Sequence, residues 1–552
     1  MAETNELEKV AREKKRWEEK FRVKESPGIK TDMDIKVKAL YTPEDTTNIN
    51  YLRDIGFPGE YPFTRGPYPE MSRHKPWRFA ILSGYGDCED TNKRWKFLLD
   101  GGQRSYTFPP DLPTQAGLDS DDPMAEVEVG KVGLALDTLE DFEILFSDLP
   151  LDVPFSPNSE AVAPMLLALF IAIAEKRGVD PAALTGSVAN DPLTHSVTKG
   201  YFMFPLKEAT HLACDLFEFC IRNMPNYYAT NIKMGQLPEC GADTDQEIGY
   251  GFAFTMTYID ELLSRGLDID QIGPKISFFI SCGPHIFEEV AKFRAARRLW
   301  AKIMKEKYGA KDPKSMVLRF TAYNTGSWLH PEWAELNLVR AAFAGLAGVL
   351  GGCQGMLLPA WDEPFAIPTE RSHSLALGTQ QIIAEESYVT KTVDPLGGSY
   401  YVEALTSQLE EKMTQRIEEI EKYGGSIKAL EDGFVQRRIL PGFYRKHNEI
   451  ETGERVVVRK NKYQIPEEPR ETELHEANPE SARRQIERLK KTKSDRNKEM
   501  AEACMAKIVK AAKEKENVMP YLIEAAEAYV SIGEMVACLK EIYGVWEEPL
   551  VA

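Results

Sequence analysis

Histidines, cysteines and paired glycines form many catalytic and metal centres, but their spacing in this chain matches no standard one. The chain has eight histidines and eight cysteines. The histidines form no HExxH motif or closely spaced pair, and the cysteines include no CxxC pair. The pairs Gly351-Gly352 and Gly397-Gly398 could hold a phosphate with backbone amides, although isolated glycine pairs more often form turns. No GxSxG elbow or GxGxxG turn follows a strand-like run either, so these residues predict neither a hydrolytic centre nor a metal or disulfide site.

An aromatic and proline-rich loop is the other stretch whose residues could bind a ligand. It reads Tyr61-Pro-Phe-Thr-Arg-Gly-Pro-Tyr68 and is followed by Met71 and Trp77. Its rings could stack on a ligand or form a buried aromatic cluster, and composition alone favours the cluster.

Length, composition and charge bound the class of protein. A chain of 552 residues with 43% hydrophobic content is expected to form two or three units with a large core. The formal net charge of -18 argues against nucleic acid or a membrane surface as a partner, because both are polyanions. Unpaired cysteines, a charged N-terminus and the lack of a long apolar run predict a soluble cytoplasmic protein.

From about residue 78 to residue 405, short apolar runs alternate with longer amphipathic stretches. The runs that predict strands are 78–82, 130–136, 153–155, 186–189, 231–232, 276–280, 316–320 and 355–358. The stretches that predict helices are 160–177, 206–224, 245–265, 287–308 and 333–350. About eight strand-helix repeats predict an α/β fold in which a parallel sheet closes into a TIM (β/α)8 barrel. In such a barrel the chemistry lies at the carboxyl ends of the strands.

The flanks of this region differ in character. Residues 7–24 carry charges of both signs at i,i+4 spacing, which predicts a helix that is either a solvated arm or a docking arm. Charge-dense helices are predicted beyond the barrel, over 407–423, 481–493, 497–514 and 518–543. We therefore expect an arm and extended wrap over 1–55, the barrel over 56–410 and a helical scaffold region over 411–552.

Longer strings occur in a fixed order between residues 55 and 410. Besides the aromatic loop they are Asp111-Leu-Pro-Thr114 with Gly117 and Asp119-Ser-Asp121, Asn190-Asp191, Glu239-Cys-Gly-Ala242, Ser277-Phe-Phe279, Ala291-Lys-Phe-Arg-Ala-Ala-Arg-Arg-Leu-Trp-Ala301, Asp362-Glu363, Ala366-Ile-Pro-Thr369 and Val393-Asp-Pro-Leu-Gly-Gly-Ser-Tyr-Tyr-Val-Glu403. In sequence and order these strings resemble the substrate-binding subunit of the adenosylcobalamin-dependent acyl-CoA mutases, the methylmalonyl-CoA mutase family.

The resemblance implies an isomerase that rearranges the carbon skeleton of an acyl-CoA by radical chemistry. The acyl-CoA would lie along the barrel axis, with adenosylcobalamin over the open end. The cobalamin-binding domain of the family carries a DxHxxG motif that ligates cobalt, and this string does not occur here. The resemblance therefore implies a separate small cobalamin-binding subunit, as in the isobutyryl-CoA and 2-hydroxyisobutyryl-CoA mutases, and a heterotetramer of two large and two small subunits. It also favours the docking role for residues 1–55.

The resemblance assigns roles to particular residues. The expected contacts of the coenzyme A moiety are Tyr68, Met71, Lys75, Arg78, Thr107, Ser187, Lys275 and Ser277. The expected contacts of the adenosyl ribose or corrin are Glu239, Gly326, Gln354, Glu363 and Ala366. Glutamates at strand ends can hold ribose hydroxyls by charge-assisted hydrogen bonds.

The substrate pocket departs from the pattern of methylmalonyl-CoA mutase. Leu82 stands where that enzyme has a tyrosine, Ala189 replaces a substrate-contacting glutamine, Gln236 replaces a histidine and Lys199 replaces an arginine. These changes predict a roomier and drier pocket, so methylmalonyl-CoA is not the expected best substrate. An inward-pointing Lys199 favours an alkyl- or arylsuccinyl-CoA, whereas an outward-pointing one favours a branched monocarboxylic acyl-CoA of the 2-hydroxyisobutyryl type.

A catalytically silent barrel that stabilises another subunit is the alternative function. Tyr323 and Pro359 stand where active relatives carry glutamine and asparagine near the active site. The retained carboxylates Glu239 and Glu363 favour an active subunit.

Overall fold

Short parallel strands form the centre of the molecule. The computed structural model describes residues 2–23, 30–33, 35–159, 162–199, 203–466 and 473–549. The strands are β1 (Arg78–Ala80), β2 (Tyr106–Phe108), β3 (Phe155–Pro157), β4 (Gly186–Ser187), β5 (Tyr227–Tyr228), β6 (Thr230–Ile232), β7 (Ile276–Ser281), β8 (Phe320–Tyr323) and β9 (Gly355–Leu357). They pair in parallel in the orders β1-β9-β8-β7-β6 and β2-β3-β4-β5.

Two hydrogen bonds close these sheets into one barrel. Ser83 N donates to Thr107 O at 2.9 Å, which joins the end of β1 to β2. Asn231 N donates to Val188 O at 2.8 Å, which joins β6 to the end of β4. Because only Ala229 separates β5 from β6, residues 227–232 act as one strand in two pieces, and the barrel has eight strands. The predicted TIM barrel is confirmed.

One predicted strand is wrong and one strand escaped prediction. The run 130–136 forms no barrel strand; within it Leu134 makes isolated bridges to Gly86 and Pro110. Its side chains from Leu134 to Leu136 are buried, so the run is apolar because it lies under other elements rather than in a sheet. The strand at this place is β2, whose three residues are too short for a recognisable alternation.

Helices surround the barrel. The chain begins with α1 (Ala2–Phe21), which confirms the N-terminal helix up to residue 21; the predicted end at residue 24 lies outside the described residues. The barrel region contains α2 (Cys88–Asp100), α3 (Leu112–Gln115), α4 (Leu139–Leu145), α5 (Ala163–Lys176), α6 (Pro192–Thr198), α7 (Leu206–Asn223), α8 (Thr244–Ser264), α9 (Ile269–Ile272), α10 (Ile286–Lys302), α11 (Leu336–Leu350) and α12 (Glu370–Glu385). The helix predicted from residue 160 begins at Ala163, and residues 160–161 are outside the described residues.

A C-terminal layer of helices coats the barrel helices. Its members are α13 (Tyr400–Tyr423), α14 (Ser426–Glu431), α15 (Phe434–Glu451), α16 (Pro479–Asp495), α17 (Lys498–Glu514), α18 (Met519–Glu527) and α19 (Ile532–Tyr543). Helix α13 packs on α8 and α10, and α18 packs on α5. On α16, Arg488 pairs with the buried Asp141 at 3.2 Å. The charge density of this layer thus serves contacts to the barrel, as predicted for an outer layer.

The stretch predicted as a single helix over 518–543 is two helices, α18 and α19, separated by residues 528–531. Ser531 caps α19 by accepting a hydrogen bond from Glu534 N. Among the described residues no helix is long and apolar enough to cross a membrane.

Candidate active site

The barrel axis is lined by small side chains. On β3 and β7 the outward residues are large: Phe155 stacks on Phe170 at 4.1 Å, and Phe278 meets Trp300 edge-on at 4.9 Å. The inward residues around an axial cavity of about 20 Å³ include Ala80, Thr107, Ser156, Ser187, Ala189, Asn231 and Thr321. A TIM barrel is normally filled by layers of Val, Ile and Leu. Small and hydroxyl-bearing residues at these positions favour an axial channel over a packed core.

Hydroxyl and amide groups on neighbouring strands bond to one another across this lining. Ser156 Oγ lies 3.4 Å from Ser187 Oγ. Asn231 Nδ2 donates to Ser277 Oγ at 3.0 Å, and Ser277 Oγ donates to Thr230 O at 2.8 Å. The predicted coenzyme A contacts Thr107, Ser187 and Ser277 therefore belong to the barrel wall, where their hydroxyls keep a polar surface along the axis.

The amino-terminal end of the axis carries one of the three predicted coenzyme A cations, Arg78. Arg78 begins β1 and lines the axial cavity. Burial lowers the pKa of its guanidinium, and its Nε has no hydrogen-bond partner among the described residues. The Tyr68 side chain is half-exposed, and after burial it is one of the groups that raise the pKa of Tyr228 on β5. Arg78 and Tyr68 are thus arranged as a ligand entrance would require.

The remaining predicted coenzyme A contacts point elsewhere. Lys275 Nζ donates to the carbonyl oxygens of Met224 and Pro225, each at 2.6 Å, so its ammonium is committed to the backbone. The Met71 thioether packs against Gly66 in its own loop, and Lys75 is exposed at the surface.

Three of the predicted pocket residues follow the carboxyl ends of β1, β4 and β6, and the fourth follows α6. Ala189 is fully buried and lines the cavity. Leu82 comes two residues after the inward-facing Ala80, so strand alternation predicts the same side for it. Gln236 lies on a 3-10 turn after β6, and its Oε1 accepts a hydrogen bond from Thr198 Oγ1 at 3.2 Å. Lys199 ends α6, beside residues 200–202, which lie outside the described residues. Its charge acts on Glu239 at the mouth of the barrel.

Four of the predicted cofactor contacts converge at this mouth. Gly326 N donates to Glu239 Oε1 at 2.8 Å. A Cβ added at Gly326 would lie 3.3 Å from Glu363 Oε1 and 3.6 Å from Glu239 Oε1. Ala366 follows Glu363 on the same loop, where its N donates to Asp362 O at 3.3 Å. The result is a shallow cradle with two carboxylates and a glycine floor, which fits the hydroxyls of a ribose.

Glu239 is half-buried and Glu363 is exposed at the mouth, and electrostatics raise the pKa of both carboxyls. Partial desolvation, and then the nearby charges of Glu239 and Asp362, raise the pKa of Glu363 to about 8. Burial also raises the pKa of Glu239, and the hydrogen bond from Gly326 and the charge of Lys199 partly offset that rise. Hydrogen bonds donated by the hydroxyls of a ligand would stabilise the charged form of both carboxylates.

Gln354 does not join this cluster. It precedes β9, at the amino end of the barrel, opposite the mouth. Its Oε1 accepts from Phe320 N at 2.9 Å and its Nε2 donates to Gly352 O at 2.7 Å. The expectation that Gln354 contacts the cofactor is corrected on this ground, because its amide serves the backbone at the wrong end of the axis.

A second cavity, of about 420 Å³, opens beside Glu239 under α15. At its rim Asp32, His285 and Glu288 bring one ligand atom each within 4.8 Å of one another. Arg455 pairs with the Asp32 carboxylate at 3.0 Å, so a cation there would compete with a guanidinium.

One functional candidate escaped the sequence analysis. Lys233, directly after β6, is 5% exposed and lines the axial cavity. Its Nζ lies 3.9 Å from the centroid of the Phe279 ring, which stacks on Tyr323 at 4.6 Å. Extending the strand alternation by one residue would have found it, since Asn231 faces inward, Ile232 outward and Lys233 inward again.

Comparison with known proteins gives a consistent result. The sequence matches the family described as methylmalonyl-CoA mutase over residues 30–545. It is 40% identical over 519 residues to the 2-hydroxyisobutanoyl-CoA mutase large subunit of Aquincola tertiaricarbonis, covering 93% of this chain and 92% of that protein. It is 36% identical over 518 residues to the mitochondrial methylmalonyl-CoA mutase of Homo sapiens, covering 93% and 68%. With the methylmalonyl-CoA mutase of Cereibacter sphaeroides it shares 35% identity over 511 residues, covering 92% and 72%.

Proposed function

We propose that this chain, which belongs to the methylmalonyl-CoA mutase family, is the large subunit of an adenosylcobalamin-dependent mutase acting on a branched or substituted acyl-CoA other than methylmalonyl-CoA. Mutases of this family are isomerases. The observation that carries the proposal is the lining of the barrel axis, where small and hydroxyl-bearing residues surround a cavity of about 20 Å³.

The coenzyme A moiety enters at the amino end in this proposal. Arg78 and Tyr68 meet its phosphates and pantetheine arm, and the hydroxyls of Thr107 and Ser187 follow the arm through the wall. An arginine in a buried site is well suited to phosphate, because it stays charged and donates in a fork. The acyl group then reaches the carboxyl end, beside Ala189.

Gln236 is the proposed contact of the thioester carbonyl. Its Oε1 accepts from Thr198 Oγ1, which turns the amide NH2 toward other acceptors. An amide keeps this donor at every pH near neutrality, unlike the histidine of methylmalonyl-CoA mutase.

The mouth would hold the cofactor. Bound adenosylcobalamin would supply the radical that takes a hydrogen atom from the substrate. Glu239 and Glu363 would accept hydrogen bonds from the ribose hydroxyls over the cradle at Gly326. The apolar outer shell of the barrel excludes water from the reacting carbon atoms.

The pocket residues favour a substrate other than methylmalonyl-CoA. Leu82 and Ala189 provide less polar contact than tyrosine and glutamine would. Two substrate types fit this change: a branched monocarboxylic acyl-CoA of the 2-hydroxyisobutyryl type and an alkyl- or arylsuccinyl-CoA.

A separate small cobalamin-binding subunit is part of the proposal. The relative from Aquincola tertiaricarbonis is named a large subunit and is covered over 92% of its length, which supports a partner of that kind. We propose that residues 1–55 dock another subunit, that 56–410 bind the acyl-CoA, that 411–552 form the helical coat, and that two large and two small subunits assemble.

The test is an electron paramagnetic resonance experiment on the chain mixed with its small subunit, adenosylcobalamin and a set of acyl-CoAs. The set contains methylmalonyl-, isobutyryl-, 2-hydroxyisobutyryl-, pivalyl- and benzylsuccinyl-CoA, and the chain without the small subunit is the control. We expect a substrate-dependent cobalt(II)-radical signal, with an isomerised product in the mass spectrum, for a substrate other than methylmalonyl-CoA.

Two outcomes would contradict the proposal. A strongest signal with methylmalonyl-CoA would overturn the interpretation of the pocket. No signal from associated subunits would favour the silent barrel, in which the stacked Phe279 and Tyr323 narrow the upper channel.

A further inference from the structure

The segment that carries Glu363 forms a closed loop between β9 and α12. This segment, the cofactor loop, spans residues 361–369. Asp362 Oδ2 accepts a hydrogen bond from Thr369 N at 3.3 Å, which joins the two ends of the loop. A loop closed in this way can keep its own shape while contacts to other elements set its position over the barrel.

Arg94 makes such a contact from α2. It is 4% exposed, and its Nη1 donates to Pro368 O at 3.1 Å near the end of the cofactor loop. Its Nη2 donates to the Tyr85 hydroxyl at 3.2 Å, on the segment that leaves β1. One buried guanidinium therefore bonds the cofactor loop and the chain beyond β1 at the same time.

The same guanidinium orients a histidine. Arg94 Nη1 lies 2.8 Å from His373 Nδ1. Burial, and then the charge of Arg94, lower the pKa of His373 to about 3, so the ring is neutral. Because a guanidinium can only donate, Nδ1 must accept, and the proton of the ring is then on Nε2. This N–H donates to Leu82 O at 3.2 Å, so Arg94 fixes the tautomer that binds the backbone of a pocket residue.

Helix α12 holds the end of β1 at two alternate residues. Gln380 Nε2 donates to Ala80 O at 3.1 Å, and His373 Nε2 donates to Leu82 O. Both donor residues are buried. Because the cofactor loop leads directly into α12, the contacts to the loop and to Leu82 place the cradle and the pocket in one frame.

We propose that Arg94 is a positioning residue that, through His373 and the cofactor loop, sets the distance between the pocket at Leu82 and the cradle at Glu363. Hydrogen transfer between a cofactor carbon and a substrate carbon requires that the two be held in contact. This inference rests on the proposed function, because it assumes that the cradle binds the adenosyl group.

The first test is nuclear magnetic resonance of the full chain labelled with ¹⁵N-histidine. The His373 signals are assigned by their loss in His373→Gln. We expect the wild-type ring to stay neutral, with the proton on Nε2, between about pH 6 and pH 8. In Arg94→Met, Nδ1 has lost its donor, so the ring nitrogens should report a mixture of the two tautomers.

The second test measures the binding of two cobalamins to the complex with the small subunit, followed by absorbance. Adenosylcobalamin and hydroxocobalamin share the corrin ring and differ in the group above the cobalt. We expect the wild-type complex to prefer adenosylcobalamin. Arg94→Met should weaken the binding of adenosylcobalamin by about fivefold and that of hydroxocobalamin by less than about twofold, because a displaced cradle loses only its hydrogen bonds to the ribose.

Arg177→Met and Arg94→Lys complete the design. Arg177 follows α5, on the amino side of the barrel, where it donates to the carbonyl oxygens of Leu149 and Phe146 at 3.1 and 2.5 Å. Its loss also removes two bonds to backbone carbonyls, yet it should leave the preference for adenosylcobalamin unchanged. Arg94→Lys keeps a charged donor without the fork and should retain part of the preference. Circular dichroism checks that each variant is folded.

The possible results separate this inference from the proposed function. Equal losses for both cobalamins in Arg94→Met would assign a purely structural role to Arg94 and overturn the inference. An unchanged His373 tautomer in Arg94→Met, or an equal loss of preference in Arg177→Met, would overturn it as well. Failure of the wild-type complex to bind either cobalamin, with the tautomer change intact, would instead contradict the proposed function on which the inference rests.

Discussion

The polar groups at the two ends of the barrel have different kinds of partner. At the amino end, Lys275 and Gln354 donate hydrogen bonds to backbone carbonyl oxygens. Arg297 likewise donates to the carbonyl oxygens of Phe63 and Thr64, at 3.1 and 2.8 Å. At the carboxyl end, Glu239 and Glu363 lie close together over a glycine, and desolvation raises the pKa of each.

The difference separates structural from ligand-binding polarity. A polar group whose partners are backbone atoms stabilises the fold, and its loss leaves those atoms buried without a partner. A carboxylate with a raised pKa costs stability when charged and gains from a ligand that donates hydrogen bonds. Substitutions at the amino end should therefore change unfolding, whereas substitutions at the mouth should change ligand binding and pH dependence.

The largest effect is expected for Arg297→Met at the amino end. Arg297 is 1% exposed, and it bonds the carbonyl oxygens of Phe63, Thr64 and Gly351. Because a buried carbonyl left without a donor costs about 1–3 kcal/mol, we expect the free energy of unfolding to fall by about 3–5 kcal/mol. Urea unfolding followed by circular dichroism measures this loss.

Arg483→Met is the matched control. Arg483 is 59% exposed on α16, where it pairs with Glu480 and Glu487. Exposed ion pairs of this kind are worth less than about 1 kcal/mol. Similar losses in the two variants would show that the buried carbonyls at the amino end find other donors, and the comparison between the ends would fail.

Much of the fold follows from sequence pattern, and the exceptions have a physical cause. Seven of the barrel strands overlap a predicted apolar run, because strands buried on both faces need apolar residues over consecutive positions. The runs 153–155 and 316–320 each share only one residue with β3 and β8, so these two strands begin later than predicted. The run 130–136 is apolar because it is a loop buried under other elements. Strand β2 was not predicted because its three residues are too few to show an alternation of apolar and polar side chains. A run of apolar residues indicates that a segment is buried. It indicates a strand only when the run also has the length and the alternation of a strand.

The sequence predicted those site residues that the family resemblance identifies. It did not predict those whose position depends on the three-dimensional arrangement of the strands. Glu239, Gly326 and Glu363 are far apart in sequence, yet the family resemblance pointed to all three, and the structure brings them together. The prediction that Gln354 contacts the cofactor was wrong, because a sequence motif does not show at which end of a strand a residue lies. Lys233 was missed because the strand alternation was not extended one residue beyond β6 to the position that lines the axial cavity.

At the mouth, Glu363→Gln tests the carboxyl end through pH dependence. Folding raises the pKa of this carboxyl from 4.5 to about 8, first by desolvation and then by the charges of Glu239 and Asp362. A raised pKa stabilises the fold while the group is protonated, and this contribution is lost as the pH rises through 8. Relative to Glu363→Gln, the wild-type chain should therefore lose stability between about pH 4.5 and 8.

Urea unfolding of both proteins across this pH range provides the measurement. Glu370→Gln removes another carboxylate from the following segment, where its side chain is 61% exposed, and serves as the control for a lost charge. Parallel pH profiles of the wild-type chain and Glu363→Gln would mean that the mouth does not perturb its carboxylates.

The smallest effect on folding is expected for Gly326→Ala, which probes the cradle directly. The added Cβ would lie 3.3 Å from Glu363 Oε1, the end of a flexible side chain that can move, so the free energy of unfolding should change by less than about 1 kcal/mol. The same shift separates Glu363 from the position in which it would meet a ribose. In the complex with the small subunit, adenosylcobalamin should therefore bind several-fold more weakly, as followed by its absorbance. Unchanged cofactor affinity in a folded variant would move the ribose site away from this cradle. A large loss of stability would instead make Gly326 a structural residue, and the carboxyl end would then resemble the amino end.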